Sequence, residues 1–540
     1  MIIDAERDRL DVLPHDAVVV VGAGPAGIAV SRRLGEAGVP VVLLESGPDT
    51  VDPRFPVEDG PLDRAETAGS RYRYPTEGRA RGIGGAGQTW RGQCLPLDRS
   101  DLAVRPWVPG SGWPLDPAEL DRHRPAAEAF LDVAGGYDET RWADFAPLRP
   151  LNWDPERLRN FLTEYCREVP LGSRDRDLLA ASRAVRVVVN ATVTRATLVD
   201  GRATGVRIAA GGRRVEITGR EVVLAAGGIE NARLLQLSDP NGVGLGTGRA
   251  HTGRHLQDHP IVRTVRIDPV DHRVLRDRYV ELRRRGRRVF PKIALTAAAQ
   301  EREGLLNACA VFEHVYSDSP LDAVHRLRAE LTGPGPRTRS PGRSVRGVAA
   351  VPALARGLYR QRVRGVPFRG DAPSGVFLQV WVEQAPRADR RVTLGARRDA
   401  LGLPVARIDW FCADEELHTS RLLTRWVAED LRAAGVATTR DLPAMTDDDA
   451  WRGTVRDGFH PAGTTRMSRD PHDGVVDPEL AVHGVSGLSV VGGSVFPTSG
   501  FANPTLTIVQ LALRLADRLR DRTRPDLEVR GRTRLPDGAR

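Results

Sequence analysis

The residues best able to do chemistry lie near the end of the chain. His460 opens a loop of small residues, His460-Pro-Ala-Gly-Thr-Thr-Arg-Met467, and Asn503 follows in a second segment that starts at Gly492. The oxidation of an alcohol removes a hydride from carbon and a proton from oxygen, and a positioned base takes the proton. Because a neutral imidazole has a reference pKa of about 6.5, it can accept that proton near neutrality. His460 is therefore a candidate base for alcohol oxidation.

Asn503 has two compatible interpretations. It precedes Pro504 and an apolar stretch that predicts a helix over 505–519, so it is a favourable N-cap with proline at the first helical position. Its side-chain amide can also donate a hydrogen bond to a substrate oxygen. The backbone amides of that first turn, with the helix dipole behind them, would stabilise a developing negative charge.

The elements that must position these groups start near the beginning of the chain. An apolar, β-branched run over 15–21 predicts a strand buried on both faces, and Gly22-Ala-Gly-Pro-Ala-Gly27 follows it directly. A helical pattern over 28–37 and a second buried strand over 39–44 complete a βαβ unit. This full context predicts a dinucleotide-binding turn, and it is a much more specific signal than the glycines alone.

The small and polar residues of this unit have expected roles. Gly22 permits the tight turn, Gly24 lets backbone amides approach a pyrophosphate, and Gly27 lets the helix and the strand pack closely. Glu45 ends the second strand, where a carboxylate would bind the adenosine ribose hydroxyls. The glycines by themselves do not separate FAD from NAD.

Three further segments resemble motifs of the glucose-methanol-choline (GMC) oxidoreductase family in their order and spacing. They are Arg81-Gly-Ile-Gly-Gly-Ala-Gly-Gln-Thr-Trp90, Val222-Val-Leu-Ala-Ala-Gly-Gly-Ile-Glu-Asn-Ala-Arg-Leu-Leu235 and the region from His460 to Thr507. Their form is most similar to the bacterial branch of pyranose oxidases and glycoside 3-oxidases. The resemblance implies FAD as the cofactor and oxidation of a sugar or glycoside hydroxyl by hydride transfer to the flavin N5 atom. It also matches the His460 loop to the family's catalytic loop, whereas the other eleven histidines are interpreted as packing or capping residues.

The resemblance also implies where the cofactor is held. The loop over 79–97 is expected to lie over the flavin, and the start of the helix after Asn503 is expected to face the pyrimidine edge of the flavin. The predicted cofactor contacts are Gly22, Gly24, Pro25, Ala26, Gly27, Glu45, Arg81, Gly84, Gly85, Trp90, Val193, Ala226, Gly493, Asn503, Pro504 and Thr505. No metal ligand is predicted.

The sequence departs from the family pattern at two positions. Pyranose oxidases carry a histidine that bonds covalently to the flavin just before the tryptophan of this loop, and here Thr89 precedes Trp90. Threonine cannot form that bond, so non-covalent FAD is predicted. Many members of the family carry an acid for the ribityl chain where this sequence has Gly492, so that contact is not expected here.

The predicted fold is α/β, with a Rossmann-like FAD-binding lobe and a substrate lobe built on an antiparallel sheet with helices. A chain of 540 residues exceeds the usual size of one hydrophobic core, which favours two lobes. We assign 15–110, 185–260 and 451–522 to the FAD-binding lobe, 111–184 to a helical segment toward the substrate lobe, 261–450 to the substrate lobe and 523–540 to a charged tail.

Individual elements follow from local patterns. Asp116 followed by Pro117 predicts the start of a helix, and alternating stretches over 376–383 and 391–394 predict antiparallel strands of a sheet. A Gly-, Pro- and Arg-rich stretch over 331–346 predicts a mobile loop, with a lid as one interpretation. Further strands are predicted over 185–189, 191–199 and 221–225, with a hairpin formed by 203–209 and 214–218.

Composition excludes several classes of protein. The net charge of +9 comes largely from scattered arginine, and neither a nucleic-acid-binding module nor a basic face interleaved with aromatics is visible. The arginines are interpreted as a solvated surface, with contacts to cofactor phosphates or an acidic partner left open. No apolar run of about 18 residues predicts a membrane span, and residues 1–14 lack a signal-peptide core, so the expected location is the cytoplasm. The four widely spaced cysteines are expected to be reduced.

The sequence leaves the substrate and the electron acceptor open. A small-molecule alcohol is expected, most simply a sugar or glycoside, with O2 or another compound as the acceptor. One alternative is the same chemistry on a non-sugar alcohol or an amino-sugar intermediate of a biosynthetic pathway. Another is a redox-silent lyase, because the family resemblance also covers hydroxynitrile lyases. A nicotinamide enzyme would leave the Gly84-Gly85 loop and the C-terminal segments unexplained.

Overall fold

A computed structural model of the protein describes residues 1–50, 62–146, 148–168, 171–315 and 373–532. The loop predicted over 331–346 lies outside these residues. Within them, the chain forms one parallel sheet, one large antiparallel sheet, two smaller sheets and the helices that cover them. This arrangement confirms the predicted α/β fold class.

The parallel sheet has six strands, and its central strands are runs of aliphatic residues because helices cover both faces. Val18–Val21 and Val41–Leu44 are fully buried, as their composition predicts. In spatial order the strands are Ile2–Asp4, Val185–Val189, Val41–Leu44, Val18–Val21, Glu221–Leu224 and Leu488–Val490. The sheet therefore joins segments from the start, the middle and the end of the chain.

The second large sheet is antiparallel and has eight strands. One end of the order is Ala437–Asp441, followed by Ile261–Pro269, Gly375–Val382, Ala308–Val315, Arg287–Leu295, Leu158–Tyr165 and Gln93–Cys94, with Leu282–Arg284 paired to Arg287–Leu295. One face of this sheet packs on apolar residues, and the other carries the wall of a large cavity described below.

The two smaller sheets have three strands each. Thr192–Val199, Arg202–Ala210 and Arg213–Thr218 form an antiparallel meander, which confirms the predicted hairpin. The other sheet contains Arg391–Arg398, Pro404–Trp410 and Ala65–Gly69. The strand predicted over 391–394 therefore lies in a different sheet from Gly375–Val382. Its sheet is completed in parallel by Ala65–Gly69, a pairing partner too distant in sequence for a local pattern to reveal.

The helices lie between and around these sheets. The α-helices are Pro25–Glu36, Arg99–Leu102, Pro117–Arg122, Arg124–Leu131, Trp142–Phe145, Leu171–Ala181, Gly227–Ser238, His272–Arg276, Ala297–Glu303, Asp414–Ala433, Asp448–Thr454 and Thr505–Arg532. Short 3₁₀ turns occur at Gly85–Gln88, Glu139–Arg141, Arg249–His251, Pro443–Met445 and Gly493–Val495, and a π-helical turn at Tyr74–Gly78. None of the described helices is both long and apolar enough to cross a membrane.

The segment 111–184 combines a confirmed prediction with an unpredicted strand. The side chain of Asp116 accepts a hydrogen bond from the backbone amide of Ala118, so the predicted cap before Pro117 is formed. The same segment holds the strand Leu158–Tyr165, which the sequence analysis did not predict. Polar residues such as Asn160 and Glu164 are buried in this strand, so the sequence lacks the apolar alternation typical of a strand.

Buried apolar side chains form two clusters, one around the parallel sheet and one around the eight-stranded sheet. The loop that begins at His460 runs between them. Phe459, on one side of His460, packs against the second cluster, and Ala462, on the other side, belongs to the first. The fold therefore places His460 at the boundary between the two cores.

The four cysteines, Cys94, Cys166, Cys309 and Cys412, are buried and free. The Sγ atoms of Cys94 and Cys166 lie 3.7 Å apart in a hydrogen bond, although the two residues are distant in sequence. Free thiols agree with the expected reduced state.

Candidate active site

The turn after the first central strand opens into a cavity at the end of the parallel sheet. Gly22 has a φ of 101°, which a side chain would strain, and Gly24 precedes the helix Pro25–Glu36. No side chain caps this helix, and its first turn contains no acidic residue. Its free backbone amides and the positive end of its dipole are therefore available to an anion such as a diphosphate.

Most of the predicted cofactor contacts line one of two cavities. The first cavity is lined by Gly22, Gly24, Pro25, Ala26, Glu45, Arg81, Gly85, Val193 and Ala226, and by Gly492. The second is lined by Pro25, Trp90, His460, Asn503, Pro504 and Thr505. The two cavities adjoin, because Pro25, Tyr74 and Ala86 line both.

Three predicted contacts line neither of these cavities. Gly27, Gly84 and Gly493 are buried behind the walls. A Cβ atom on Gly27 would lie 1.9 Å from the carbonyl oxygen of Gly22, so Gly27 is required for the close packing of the helix against the turn, as expected. Gly84 donates its amide to the carbonyl of Ala23, and the carbonyl of Gly493 accepts from the amide of Gly463 in the His460 loop.

Glu45 is held rigidly at the edge of the first cavity. One of its carboxylate oxygens accepts from the backbone amide of Ala23 at 2.9 Å, and the other accepts from the amides of Gly47 and Gly82 at 2.9 and 3.0 Å. The hydroxyl of Ser46 also donates to this second oxygen, at 3.2 Å, whereas the first oxygen accepts only from Ala23 among the described residues and can still bind a hydroxyl of a ligand. The amides fix the carboxylate in place before a ligand arrives.

The charged side chains around the first cavity are paired with one another. Arg81 donates to Asp63 at 2.9 Å, Arg79 to Glu230 at 2.5 Å, and Arg233 to both Glu230 and Asp399. Burial alone would raise the pKa of Glu230, but Arg233 and the neighbouring arginines lower it to about 2. Glu230 is therefore ionised, and the neighbouring arginines balance its charge.

The second cavity has a volume of ≈ 670 Å³ and lies against the eight-stranded sheet. Strand residues form its floor: Ile261, Phe290, Lys292, Val311, Glu313, Gln379 and Trp381. His460 lines the same cavity from the loop after the helix Asp448–Thr454, and Asn503 lines it from the segment after the strand Leu488–Val490. A molecule bound in it would lie between a sheet floor and the candidate base.

His460 has a partner at each ring nitrogen. Its Nδ1 lies 2.9 Å from Nδ1 of His259, and its Nε2 lies 3.4 Å from the amide nitrogen of Asn503. An amide NH2 group can only donate, so Nε2 presents its lone pair and the proton of the neutral ring is on Nδ1. Nδ1 of His460 then donates to Nδ1 of His259. The two neighbours together select the tautomer in which Nε2 can accept a proton.

The surroundings keep the imidazole in its neutral form. Burial, together with His259 and Lys292, holds the pKa of His460 well below its usual value. Burial also lowers the pKa of His259 to about 4. His460 is thus deprotonated at neutral pH, which a base requires before it can accept a proton.

Asp258 fixes the backbone that carries both histidines. Its Oδ1 accepts from the amides of His259, Gly458 and His460 at 2.7, 3.1 and 2.9 Å, and its Oδ2 accepts from the hydroxyl of Tyr72 at 2.8 Å. Burial and the nearby Asp457 raise the pKa of Asp258 to about 7. This buried carboxyl is a positioning group that holds the two rings in contact.

The predicted capping role of Asn503 is not formed. Its helix begins at Thr505, so Pro504 lies before the first helical residue. The side-chain oxygen of Asn503 is buried and has no hydrogen-bond partner among the described residues. The side chain is turned toward His460 instead, so the helix is left with uncapped amides.

Two further residues of the site were missed from the sequence. His259 was grouped with the packing histidines, although it hydrogen-bonds His460. Lys292 lines the same cavity and was not singled out, although it is the only lysine of the chain. The uniqueness of Lys292 was a signal in the sequence, whereas the contact of His259 depends on tertiary structure.

The residues present fit FAD. The helix start at Gly24 and the carboxylate of Glu45 would hold the diphosphate and the ribose in the first cavity. The adjoining second cavity would place a redox-active ring beside His460 and Asn503. Within the described residues no cluster of side chains could hold a metal ion.

Comparison with protein families gives two matches. Two models described as GMC oxidoreductase match residues 173–261 and 386–512. The second match contains the His460 loop and Asn503, and the first contains the strand Glu221–Leu224 and His259.

Curated relatives extend over nearly the whole chain. The chain is 23% identical to 2-methyl-1,2-propanediol dehydrogenase of Mycolicibacterium austroafricanum, over 93% of this chain and 94% of that protein. It is 26% identical to paromamine 6'-oxidase of Streptomyces fradiae, over 95% and 93%.

A solved structure has a similar fold. An FAD-dependent oxidoreductase from Chaetomium thermophilum matches with a TM-score of 0.58 and 18% identity, over 94% of this chain and all of that chain.

Proposed function

We propose that this chain is an FAD-dependent oxidoreductase of the GMC type that acts on alcohols, and that its substrate is a hydroxyl of a sugar or glycoside. The product of this reaction is the corresponding carbonyl compound. We further propose that His460 is the catalytic base and that Asn503 assists it.

One observation carries this proposal. The unprotonated Nε2 of His460 and the amide of Asn503 lie 3.4 Å apart and line one cavity. An alcohol oxygen that lies in the cavity within hydrogen-bond distance of both nitrogens would give its proton to Nε2 and accept a hydrogen bond from the amide as negative charge develops on the oxygen. FAD, when bound, supplies the acceptor for the hydride that leaves the carbon.

The residues around His460 complete the acid–base part of the reaction. As Nε2 gains a proton, the ring becomes cationic, and its Nδ1–H remains bonded to Nδ1 of His259. The backbone amides of the first helical turn, which begins at Thr505, add positive potential on the same side of the cavity. Burial of the site strengthens these electrostatic interactions because water is excluded.

A sugar or glycoside is supported by the lining of the cavity and by relatives. The floor mixes aromatic side chains such as Trp381 and Phe290 with hydrogen-bonding groups such as Gln379. Binding sites for small molecules commonly combine an apolar wall with a few placed polar groups. Among relatives, fructose dehydrogenase large subunit of Gluconobacter japonicus matches 31% of this chain at 28% identity.

An amino-sugar substrate is the second candidate. The relative paromamine 6'-oxidase favours it, since the match covers 95% of this chain. The buried ammonium of Lys292 in the cavity opposes it, because a protonated amino sugar would be repelled. A non-sugar alcohol is the third candidate, supported by the relative 2-methyl-1,2-propanediol dehydrogenase. A redox-silent lyase is disfavoured by these relatives.

Anaerobic reduction of the purified yellow protein tests the proposal. Monosaccharides, glycosides, aminoglycosides and short diols are added in turn, and loss of flavin absorbance is followed. We expect bleaching by at least one sugar or glycoside. Readmission of air with appearance of peroxide would identify O2 as the acceptor. Bleaching by non-sugar alcohols alone would overturn the sugar assignment, and a flavin that no alcohol reduces would overturn the proposed function.

Non-covalent FAD is part of the same proposal. Thr89 lines the second cavity, and its hydroxyl cannot form the covalent bond to the flavin that a histidine forms at this position in pyranose oxidases. Acid precipitation should therefore release FAD into the supernatant. We also propose a cytoplasmic location, which fractionation of the producing cells would test.

A further inference from the structure

Lys292 is unusual in both composition and position. The chain contains 79 lysine and arginine residues, and Lys292 is the only lysine among them. It lies on the strand Arg287–Leu295, in the floor of the second cavity, and its side chain is only 2% exposed. Arginine and lysine differ in shape and hydrogen bonding. The use of lysine at position 292 alone therefore indicates a role for a primary amine in this cavity.

Among the residues that the structure describes, the ammonium group of Lys292 has no counter-ion. Its Nζ has no hydrogen-bond partner among the described residues and lies 4.6 Å from the centre of the Trp381 ring. Cys309 is the one titratable neighbour that favours the charged form, but burial raises the pKa of that thiol to about 11, so it is neutral. Burial correspondingly lowers the pKa of Lys292. A buried ammonium is costly in free energy unless a hydrogen-bond acceptor or a negative charge lies beside it.

The face of Trp381 that Lys292 touches is itself fixed. The indole nitrogen of Trp381 donates to the side-chain oxygen of Gln379 at 2.9 Å, and the amide of Gln379 donates to Glu313 at 3.3 Å. The cation–π contact is therefore made with an immobilised ring. It stabilises the ammonium in part but leaves all three N–H donors of Lys292 without acceptors.

The other charged side chains of the cavity cancel in number, so Lys292 gives the lining its net positive charge. The charged side chains that line it are the cations Arg73, Arg91, Lys292 and Arg456 and the acids Glu77, Glu313 and Asp457. Each acid is already engaged: Glu77 accepts from Arg73, Glu313 from Arg263, and Asp457 from the backbone amides of Arg73 and Tyr74. Within the described residues none of these acids bonds to Lys292, which leaves its ammonium open to an acceptor on a bound molecule.

We propose that Lys292 is a specificity residue that binds a carboxylate on the substrate, so that the enzyme acts on an alcohol that also carries an acid group, such as a sugar acid. A single compact ammonium matches one negative charge, and its flexible stem allows Nζ to leave the Trp381 face toward the ligand. The bulkier planar head of arginine would need more space. This inference rests on the proposed function and narrows its substrate class.

Matched substrate pairs test the inference. D-glucuronate is compared with D-glucose and with methyl D-glucuronate ester, and D-galacturonate with D-galactose, by the rate of anaerobic flavin reduction. We expect the wild-type enzyme to prefer the acid by roughly 10- to 100-fold in kcat/KM, as for a charge-assisted hydrogen bond. Lys292→Met should abolish this preference. Arg283→Met, which removes a charge from the same sheet outside the cavity, should keep it.

The uniqueness of Lys292 allows a direct measurement that needs no turnover. Protein grown with lysine labelled at Cε with carbon-13 gives one lysine signal, whose chemical shift reports protonation of Nζ. We expect D-glucuronate or D-galacturonate to raise the pKa of Lys292, seen as an upward move of the pH midpoint of this signal, while D-glucose leaves the midpoint in place.

The outcomes separate the two proposals. Flavin reduction with equal rates for acids and neutral sugars, or a preference that survives in Lys292→Met, would overturn the role of Lys292 and leave sugar oxidation intact. If no alcohol reduces the flavin, the proposed function fails. In that case a lysine signal that still responds to the acids would support the carboxylate site, and a silent signal would overturn it.

Discussion

The two adjoining cavities are built in opposite ways. The cavity at the parallel sheet is made largely of backbone, and its charged side chains, such as Arg79 and Glu230, are bonded to one another. The cavity over the eight-stranded sheet is made of side chains, and buried polar atoms of Trp90, Lys292 and Asn503 have no partner among the described residues. A buried polar group without a partner costs about 1–3 kcal/mol. The charged side chains of the first cavity are thus paired before a ligand binds, whereas the second cavity keeps buried polar side-chain atoms for the molecules that react in it.

This difference separates binding from chemistry, and substitutions should affect the two separately. Changes at the second cavity should reduce turnover while FAD stays bound. Changes at the first should reduce FAD content while the apoprotein stays folded.

His460→Gln should have the largest effect. Glutamine keeps the size and polarity of the side chain but cannot take a proton, so the rate of anaerobic flavin reduction should fall about 10²- to 10⁴-fold. The flavin content per chain, measured from absorbance, should remain that of the wild type. His418→Gln, on the helix Asp414–Ala433, is the control and should change neither quantity. A variant that loses FAD and activity in parallel would contradict the role of His460 as a base.

Asn503→Asp should have the next largest effect. It replaces an N–H donor by a negative charge beside the developing oxyanion, so the rate of flavin reduction should fall about 10²-fold. The side-chain oxygen of Asn503 caps nothing, so the melting temperature should change little. Asn241→Asp on an exposed turn controls for added charge. Equal losses of activity and stability would indicate a structural role instead.

Gly24→Ala tests the first cavity. A Cβ atom on Gly24 meets no atom within 4 Å, so the apoprotein should fold normally, but the methyl group would occupy space beside the helix amides. FAD affinity should fall about tenfold or more, since overpacking costs about 1–3 kcal/mol. Gly453→Ala, which also meets nothing within 4 Å but lies away from both cavities, is the matched control. Titration of the apoproteins with FAD gives the affinities. Unchanged FAD binding by Gly24→Ala would contradict the proposal that the helix start at Gly24 holds the diphosphate.

The same comparison explains what the sequence could and could not predict. The first cavity depends on neighbours in sequence: the turn over 22–27 and the strands Val18–Val21 and Val41–Leu44 were predictable because glycine geometry and aliphatic runs are local signals. The second cavity depends on contacts between distant segments. His259 reaches His460 across 201 positions, and no local pattern encodes that pair.

The floor of the second cavity was the least predictable part. Leu158–Tyr165 is a buried strand with a polar interior, because Asn160 accepts from Trp153 and Tyr279 and Glu164 binds Arg141. Those partners satisfy polar groups that the sequence pattern assigns to a surface. The capping role expected of Asn503 failed for a related reason, since its side chain is turned toward His460 rather than its own helix. Local propensity was overridden wherever the site required a long-range contact.

The pH dependence of flavin reduction gives the smallest but most direct test of the second cavity. Burial holds the pKa of His460 well below 6.5, so the base form persists as the pH falls below the usual range of histidine. The acid limb of kcat/KM, which reports the base in the free enzyme, should therefore have its midpoint well below pH 6.5, with a constant rate from there to neutrality. Rates should be measured anaerobically, so that the reaction with oxygen does not add its own pH dependence. A midpoint at or above pH 6.5 would mean that His460 is solvated in the working enzyme. The second cavity would then not bury its polar groups, and its contrast with the first cavity would fail.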